Sequence, residues 1–414
     1  MIECFSKDHR VAELLKKCPL GAQIDDFVRT IADLGYSPWT IRCQIGLLTN
    51  FIIWIQDHDI EISSIDEIIT SRFLTESCSN KANRKGHPKT LRRFLGHLRH
   101  QGLIAHPKPV VDDSPLAILK THYEDYLRRE RGLAMVTVSR YWSFVQRFLL
   151  EQFSDGPINF KELGPQAIDD HLLRHAHEST PKVAQLMVAA LRSFFRYLFR
   201  YGKTKQDLST AIPTVPTWRF SDVPKYLRTH EIESILDTCN RRTRVGRRNY
   251  AILLLTARLG LRAGEAVAME LNDINWRSGE LKVRGKGQFH DRLPLPQDVG
   301  EALADYLRND RPLCSSRRVF IRARAPHRGF RGPTAVSTIV RRAVQKSGLN
   351  PPCKGAHLLR HSLATGMLRK GASMQEIGEL LRHRSMNSTE IYAKVDIEGL
   401  RSIARPWPEK GGAR

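Results

Sequence analysis

The sequence predicts a mainly α-helical chain: two N-terminal helical bundles, then a mixed but mostly helical C-terminal domain with a small β-hairpin. Three observations carry that expectation. Apolar residues recur at helical spacing through most of the chain, with Gly or Pro at the breaks. The N-terminal half repeats itself, since residues 35–55 lie without gaps on residues 132–152 and pair Gly35 with Gly132, Thr40 with Thr137 and Phe51 with Phe148; the period is about 100 residues. Apolar and polar residues alternate over 280–284 and 292–296 around Gly285-Lys286-Gly287, the pattern of two strands and a turn.

Each copy of the repeat reads as an opening helix (24–34; 117–131), a long amphipathic one (38–57; 135–152), a short one (65–75; 164–175) and a closing one (89–101; 181–201). The segments 106–115 and 212–224 are proline-rich and are expected to be extended linkers. The expected organisation is therefore a helical domain over 1–105, a second over 116–205, a C-terminal domain over 225–405 and a tail over 406–414. At 414 residues and 41% apolar content the chain can bury real cores in domains of this size.

Charge narrows the partner. There are 66 Lys plus Arg against 43 Asp plus Glu, a formal charge of +23, with a sequence pI of about 10.0. Such an excess favours a polyanion, nucleic acid first and an anionic membrane surface second. No apolar run approaches the roughly 20 residues of a spanning helix; the best candidate, 251–261, is broken by Thr256, Arg258 and Gly260. The first residues do not form a signal peptide. The 7 cysteines show no Cys-x-x-Cys spacing, which argues against a zinc site or a disulfide framework and for the reducing cytoplasm. Two basic clusters are candidate DNA contacts: Arg192, Arg196, Arg200 and Lys203 at helical spacing in the second bundle, and Arg241, Arg242, Arg244, Arg247 and Arg248 in a stretch without acidic residues. A third basic segment, 315–346, suits the phosphate backbone.

The chemistry concentrates in residues 357–392. His357-Leu-Leu-Arg360-His361 opens a helix over 356–370, so His357 and Arg360 share one face. A second helix, 374–382, runs into His383, and a third opens at Asn387 with Glu390 at its third position and Tyr392 in its second turn. A lone His or Tyr on a helix is ordinarily packing or surface. An imidazole, a guanidinium, a second imidazole and a phenol together point to a phosphodiester: planar donors can hold its oxygens and a phenol can attack it.

This ordered set, His-x-x-Arg-His, then Leu-x-His, then Tyr nine residues on, resembles the C-terminal signature of the tyrosine recombinase (phage integrase) family. The resemblance extends upstream to Thr256-Ala-Arg-Leu-Gly-Leu-Arg262-Ala-Gly-Glu265, and it implies that Arg262 is the first catalytic arginine, Glu265 its supporting acid and Lys286 the catalytic lysine, with Lys282 the less favoured candidate for that last role. It also implies that the second bundle is a SAM-like core-binding domain and that the first is an arm, an accessory DNA-binding domain or an oligomerisation unit. Two positions depart from the family pattern: Arg382 stands where Leu-Gly-His has glycine, and Gly264 where a larger residue is common.

The implied activity is site-specific recombination of double-stranded DNA. Arg262, Arg360 and His383 would hold the scissile phosphate while Tyr392 attacks to give a 3′-phosphotyrosine. His357 would be the general base and Lys286 the general acid. No metal, nucleotide or other cofactor is expected, because one phosphodiester is exchanged for another. The expected assembly is a homotetramer on DNA, alone or with other recombinases, in the cytoplasm at the nucleoid, acting on a mobile element by integration, excision or transposition. A helix over 396–404 would pack in cis or on a neighbouring subunit. Two alternatives stand beside this: strand relaxation of the type IB topoisomerase kind, and a non-catalytic DNA-binding protein.

Overall fold

In a computed structural model of the protein the described residues are 2–5, 13–15, 18–77, 86–107, 112–154, 156–216, 223–285, 290–383, 385, 388–395 and 401. They fall into two compact units: Met1–Pro107 with Asp222–Arg414, and Lys108–Ser221. The first unit thus joins the first bundle and the C-terminal domain across a long gap in sequence.

The first bundle comprises α1 (Ile2–Phe5), α2 (Gly21–Asp33), α3 (Pro38–Asp57), α4 (Glu67–Ser77) and α5 (His87–His100). Ile24, Phe27, Val28 and Ile31 form one buried stripe on α2, which meets Ile41, Ile45 and Leu48 of α3 and Phe94, Leu95 and Leu98 of α5. Ser37 caps α3 by accepting the N–H of Thr40 at 3.3 Å, with Pro38 in the first turn, where its missing donor costs nothing. The second bundle comprises α6 (Pro115–Asp125), a π-turn (Tyr126–Glu130), α7 (Met135–Phe153), α8 (Pro165–His177) and α9 (Pro181–Arg200). The repeat survives in the punctuation: Gly35 and Gly132 have φ +79° and +62°, and Gly102 and Gly202, which follow α5 and α9, have φ +75° and +63°.

The core of the second bundle is aromatic. Phe194 lies 5.1 Å from Tyr123 and 5.7 Å from Phe195, ring centre to ring centre. Beside it, α7 and α8 are clamped by Glu151, whose carboxylate lies 2.8 Å from His171 Nδ1 and 2.7 Å from His175 Nε2. Burial pushes that carboxyl up, but the hydrogen bonds from His175 and His171 outweigh it and bring the pKa down to about 2.

The C-terminal domain contains α10 (Thr229–Asp237), α11 (Arg244–Arg258), α12 (Ala263–Ala268), α13 (Gln297–Asn309), α14 (Thr334–Lys346), α15 (Ala356–Arg369) and α16 (Met374–Leu381), then a 3₁₀ turn (Glu390–Val395). Helix α11 is the spine: Ala251 through Leu255 are fully buried, which is why this stretch reads as an unbroken apolar run. No helix of the described residues is long and apolar enough to cross a membrane. The sheet is antiparallel and three-stranded, β1 (Ile274–Asn275), β2 (Glu280–Arg284) and β3 (His290–Pro294), with Lys282 opposite Arg292.

Four expectations need correction or fall outside the described residues. The second strand of the hairpin is two residues nearer the turn than expected, and β1 adds a partner too short to show alternation. The helix expected to open at Asn387 is instead the 3₁₀ turn around Tyr392, and Asn387 itself lies outside the described residues. So do Lys286 and, apart from Arg401, the expected tail helix.

The first bundle meets the C-terminal domain where the His327 backbone N–H donates to Leu34 O at 2.8 Å, with Gly35 against the His327 ring. A side chain at position 35 would meet that ring and would also be strained by the positive φ.

Phe194→Ala removes a fully buried ring and is expected to cost about 3–5 kcal/mol in denaturant unfolding of the second unit, whereas Phe199→Ala, nearly half exposed on the same helix, is expected to cost less than about 1 kcal/mol. Equal losses would contradict the packing described.

Candidate active site

The site is built around Arg360. Its side chain leaves α15 into the protein, where the residue is only 3% exposed, and its two terminal nitrogens donate to the carbonyls of Gly260 and Leu381. One guanidinium therefore ties the end of α11, the start of α15 and the end of α16 together. Gly260 permits this approach: its φ is +57°, and a Cβ there would lie 2.6 Å from Leu381 Cδ2. Burial, with Arg262 and Arg382 nearby, pulls the pKa of Arg360 down to about 10.

Arg262 precedes α12 and Glu265 occupies its first turn. The Glu265 carboxylate accepts the Arg262 backbone N–H at 2.8 Å and Arg262 Nη1 at 2.7 Å, so the acid that caps the helix also aims the arginine. The Glu265 side chain is 5% exposed and that of Arg262 41%, which leaves the guanidinium facing solvent and the carboxylate behind it. Burial pushes the Glu265 carboxyl up, but Arg382 and Arg262 more than reverse this and hold it below its usual value. The second cation is Arg382, whose Nη2 lies 2.8 Å from Glu265 Oε2.

Arg262, Glu265, Arg284, His357, Arg382 and His383 line one cleft of about 1420 Å³. His383 Nδ1 lies 2.8 Å from Thr389 Oγ1, and burial together with Arg360 and Arg262 lowers its pKa to about 4. His357 has an open face, yet the concave wall strips part of its water and Arg360 and Arg262 add their repulsion, so its pKa is also lowered. Both imidazoles are thereby kept neutral near pH 7.

Tyr392 is 1% exposed. Its ring lies parallel to that of His383, with centres 6.5 Å apart. Its hydroxyl is 2.8 Å from His361 Nδ1, so the imidazole in contact with the phenol is one helical turn beyond the expected His357. His361 closes the His-x-x-Arg-His motif, and spacing alone places both histidines on neighbouring turns without saying which one the phenol meets. Burial raises the Tyr392 pKa to about 12 in spite of Arg360 and Arg262.

The expected DNA-contact residues divide. Arg196, Arg200 and Lys203 are exposed on the second bundle, Arg200 at 3.1 Å from Glu130, while Arg192 donates to Ile212 O at 2.8 Å. Arg241, Arg242 and Arg244 are exposed, Arg241 over the Tyr250 ring. Arg247 is paired with Asp310 at 2.5 Å and with Asp305 at 3.2 Å. Arg248 is buried, with Nη1 on Ile321 O at 2.9 Å, and so leaves the candidate interface. A run of arginines without acids gives no warning of this, because the acids that claim Arg247 lie on α13 (Asp305) and just past its end (Asp310). Elsewhere, donor atoms of Glu151, His171 and His175 lie within 4.8 Å of one another. The carboxylate stands at hydrogen-bond distance from each imidazole and Arg147 also pairs with it, at 3.2 Å, so the three form a clamp between helices.

Because Tyr392 is buried beside an imidazole, its phenol is expected to stay protonated up to about pH 11. The ultraviolet difference between the wild-type chain and Tyr392→Phe should show no phenolate near the ordinary pKa of about 10; an ionisation there would contradict the geometry.

Residues 225–398 match the phage integrase family. Over 393 residues, 94% of this chain and 95% of the relative, the sequence is 39% identical to y4rA of Sinorhizobium fredii (strain NBRC 101917 / NGR234), named as an integrase/recombinase. It is 29% identical over 306 residues, 70% of this chain and 96% of the relative, to tyrosine recombinase XerD of Mycobacterium tuberculosis (strain ATCC 25618 / H37Rv). Among solved structures, the fold is similar to that of the XerH site-specific recombinase bound to palindromic difH substrate, at TM-score 0.55 and 20% identity over 77% of this chain and 94% of that one. It is also similar to a lambda integrase (75–356) dimer bound to a COC′ core site, at TM-score 0.52 and 19% identity over 70% of this chain and 97% of that one. With a relative this similar along nearly its whole length, the chain belongs to the phage integrase, or tyrosine recombinase, family.

Proposed function

We propose that this protein is a site-specific recombinase that cuts and rejoins strands of double-stranded DNA through a 3′-phosphotyrosine. The observation that carries this reading is a cleft lined by Arg262, His357 and His383, all within electrostatic reach of the buried Arg360, with the Tyr392 ring parallel to that of His383. Membership in a family whose relatives are named as integrases and recombinases supports strand exchange over simple relaxation or binding without chemistry.

In the reaction, Arg262 and Arg360 with His383 hold the non-bridging oxygens of the scissile phosphate and stabilise the charge that builds on them; a fixed donor of this kind contributes about 3–4 kcal/mol. Tyr392 Oη attacks phosphorus as its proton leaves to an imidazole, and the 5′ oxygen departs with a proton from Lys286. Two histidines divide the work on the phenol. His361 holds the hydroxyl in the buried resting position, and His357, which faces the cleft, takes the proton once the phenol turns toward the phosphate. A 5′ hydroxyl from a second strand then attacks the phosphotyrosine, restores the phenol and closes a new phosphodiester. Bond type is conserved throughout, so the exchange needs no nucleotide.

The exposed Arg196, Arg200 and Lys203, with Arg241, Arg242 and Arg244, supply phosphate-backbone contacts. The second bundle serves as the core-binding domain and the first as an accessory or oligomerisation domain. Four copies assemble on two DNA sites at the nucleoid, and the product is an integrated, excised or transposed element.

Two experiments use a nicked duplex carrying a site recovered from a random-sequence pool by binding to the protein. Tyr392→Phe is expected to bind it like the wild type and to form no covalent adduct, and Arg262→Ala to slow adduct formation about 10²–10³-fold; an undiminished adduct from Tyr392→Phe would refute the assignment of the nucleophile. His357→Ala is expected to slow cleavage about 10²–10⁴-fold, and His361→Ala to leave it within about 3-fold. The reverse order would make His361 the base.

A further inference from the structure

We propose that Arg382 is a positioning residue for strand cleavage: through the shared Glu265 carboxylate it fixes the orientation in which Arg262 faces the cleft. The inference rests on the reading of the cleft as the cleavage site and adds a residue to it.

The backbone gives the first reason. Arg382 ends α16 with φ 56° and ψ 50°, the left-handed conformation that favours glycine at a helix terminus. A long side chain in that conformation is strained, and such a residue persists where its head group is held by its surroundings. The head group gives the second. The Arg382 side chain is 5% exposed, as is that of Glu265, and it reaches Glu265 Oε2 at 2.8 Å and Leu380 O at 2.8 Å.

The third reason is the way Glu265 is shared. Oε2 takes the Arg262 backbone N–H and Arg382 Nη2, while Oε1 takes Arg262 Nη1. Arg382 thus pins the oxygen that does not carry the Arg262 side chain, and so fixes the plane of the carboxylate and with it the direction of the Arg262 fork. Without Arg382 the carboxylate would be held by its own helix and by Arg262 alone. Arg382 also lines the cleft, and its charge helps to keep Arg360 and His383 less basic.

The test compares Arg382→Gly, Arg382→Lys, Glu265→Gln and the Arg382→Gly/Glu265→Gln double variant in single-turnover cleavage of the nicked duplex, with full-length protein in excess. Glycine suits this backbone, so Arg382→Gly is expected to fold and to bind the duplex within about 2-fold of wild type. It is expected to cleave about 10–100-fold more slowly and to regain rate when millimolar methylguanidinium is added, which should leave the wild type unchanged. Arg382→Lys should fall between the two, because lysine keeps the charge without the planar fork, and it carries the test should the glycine variant fail to fold. In the Glu265→Gln background, Arg382→Gly should cost less than about 2-fold more. Cleavage by Arg382→Gly or folded Arg382→Lys at the wild-type rate, or full additivity of the two substitutions, overturns the inference while the wild-type adduct stands. No adduct from the wild-type chain overturns the reading of the cleft and this inference with it.

Discussion

Uncompensated positive charge around one cleft is the constraint on which the C-terminal domain depends. Arg262 and Arg382 share a single carboxylate there, Glu265, while Arg360, within reach of both their charges, is almost wholly buried. Burying a guanidinium is costly unless its donors are met, and here two backbone carbonyls meet them while leaving the charge unneutralised. Burial first, and then this crowding of positive charge, depresses the basicity of Arg360, His357 and His383. The fold can carry this because α11, α15 and α16 belong to a well-packed core that offsets the local cost. A phosphodiester in the cleft would supply the missing negative charge, most of all when its charge grows in the transition state.

The same burial sets the resting state of the nucleophile. Tyr392 sits among Ala364, Ile377, Leu381 and Val395, its phenol held by His361 and its ionisation suppressed. Its segment is a 3₁₀ turn, a form with weaker hydrogen bonding than an α-helix and so easier to rearrange. A buried, protonated phenol is protected from unproductive reaction for as long as this turn keeps its place.

Much of this was legible in the sequence. The paired glycines at 35 and 132 marked the repeat because a left-handed turn needs them in both bundles. The bounds of α3 matched the expectation because serine, proline and a buried stripe agree there. The Arg262, Arg360, His383 and Tyr392 positions were visible through motif spacing. What stayed hidden depends on tertiary contact. Whether His357 or His361 meets the phenol turns on one helical step. The burial of Arg248 depends on a carbonyl 73 residues away, and the seat of the first bundle on His327 depends on a contact that no local pattern encodes. Arg382 read as a departure from glycine; its reach to Glu265 became apparent only in three dimensions.

The most direct measurement of the central claim is peptide mapping, by mass spectrometry, of the covalent complex trapped on a nicked duplex. A single modified peptide is expected, carrying the nucleotide on the oxygen of Tyr392 through a 3′ phosphate. Attachment at another residue, or through a 5′ phosphate, would contradict it.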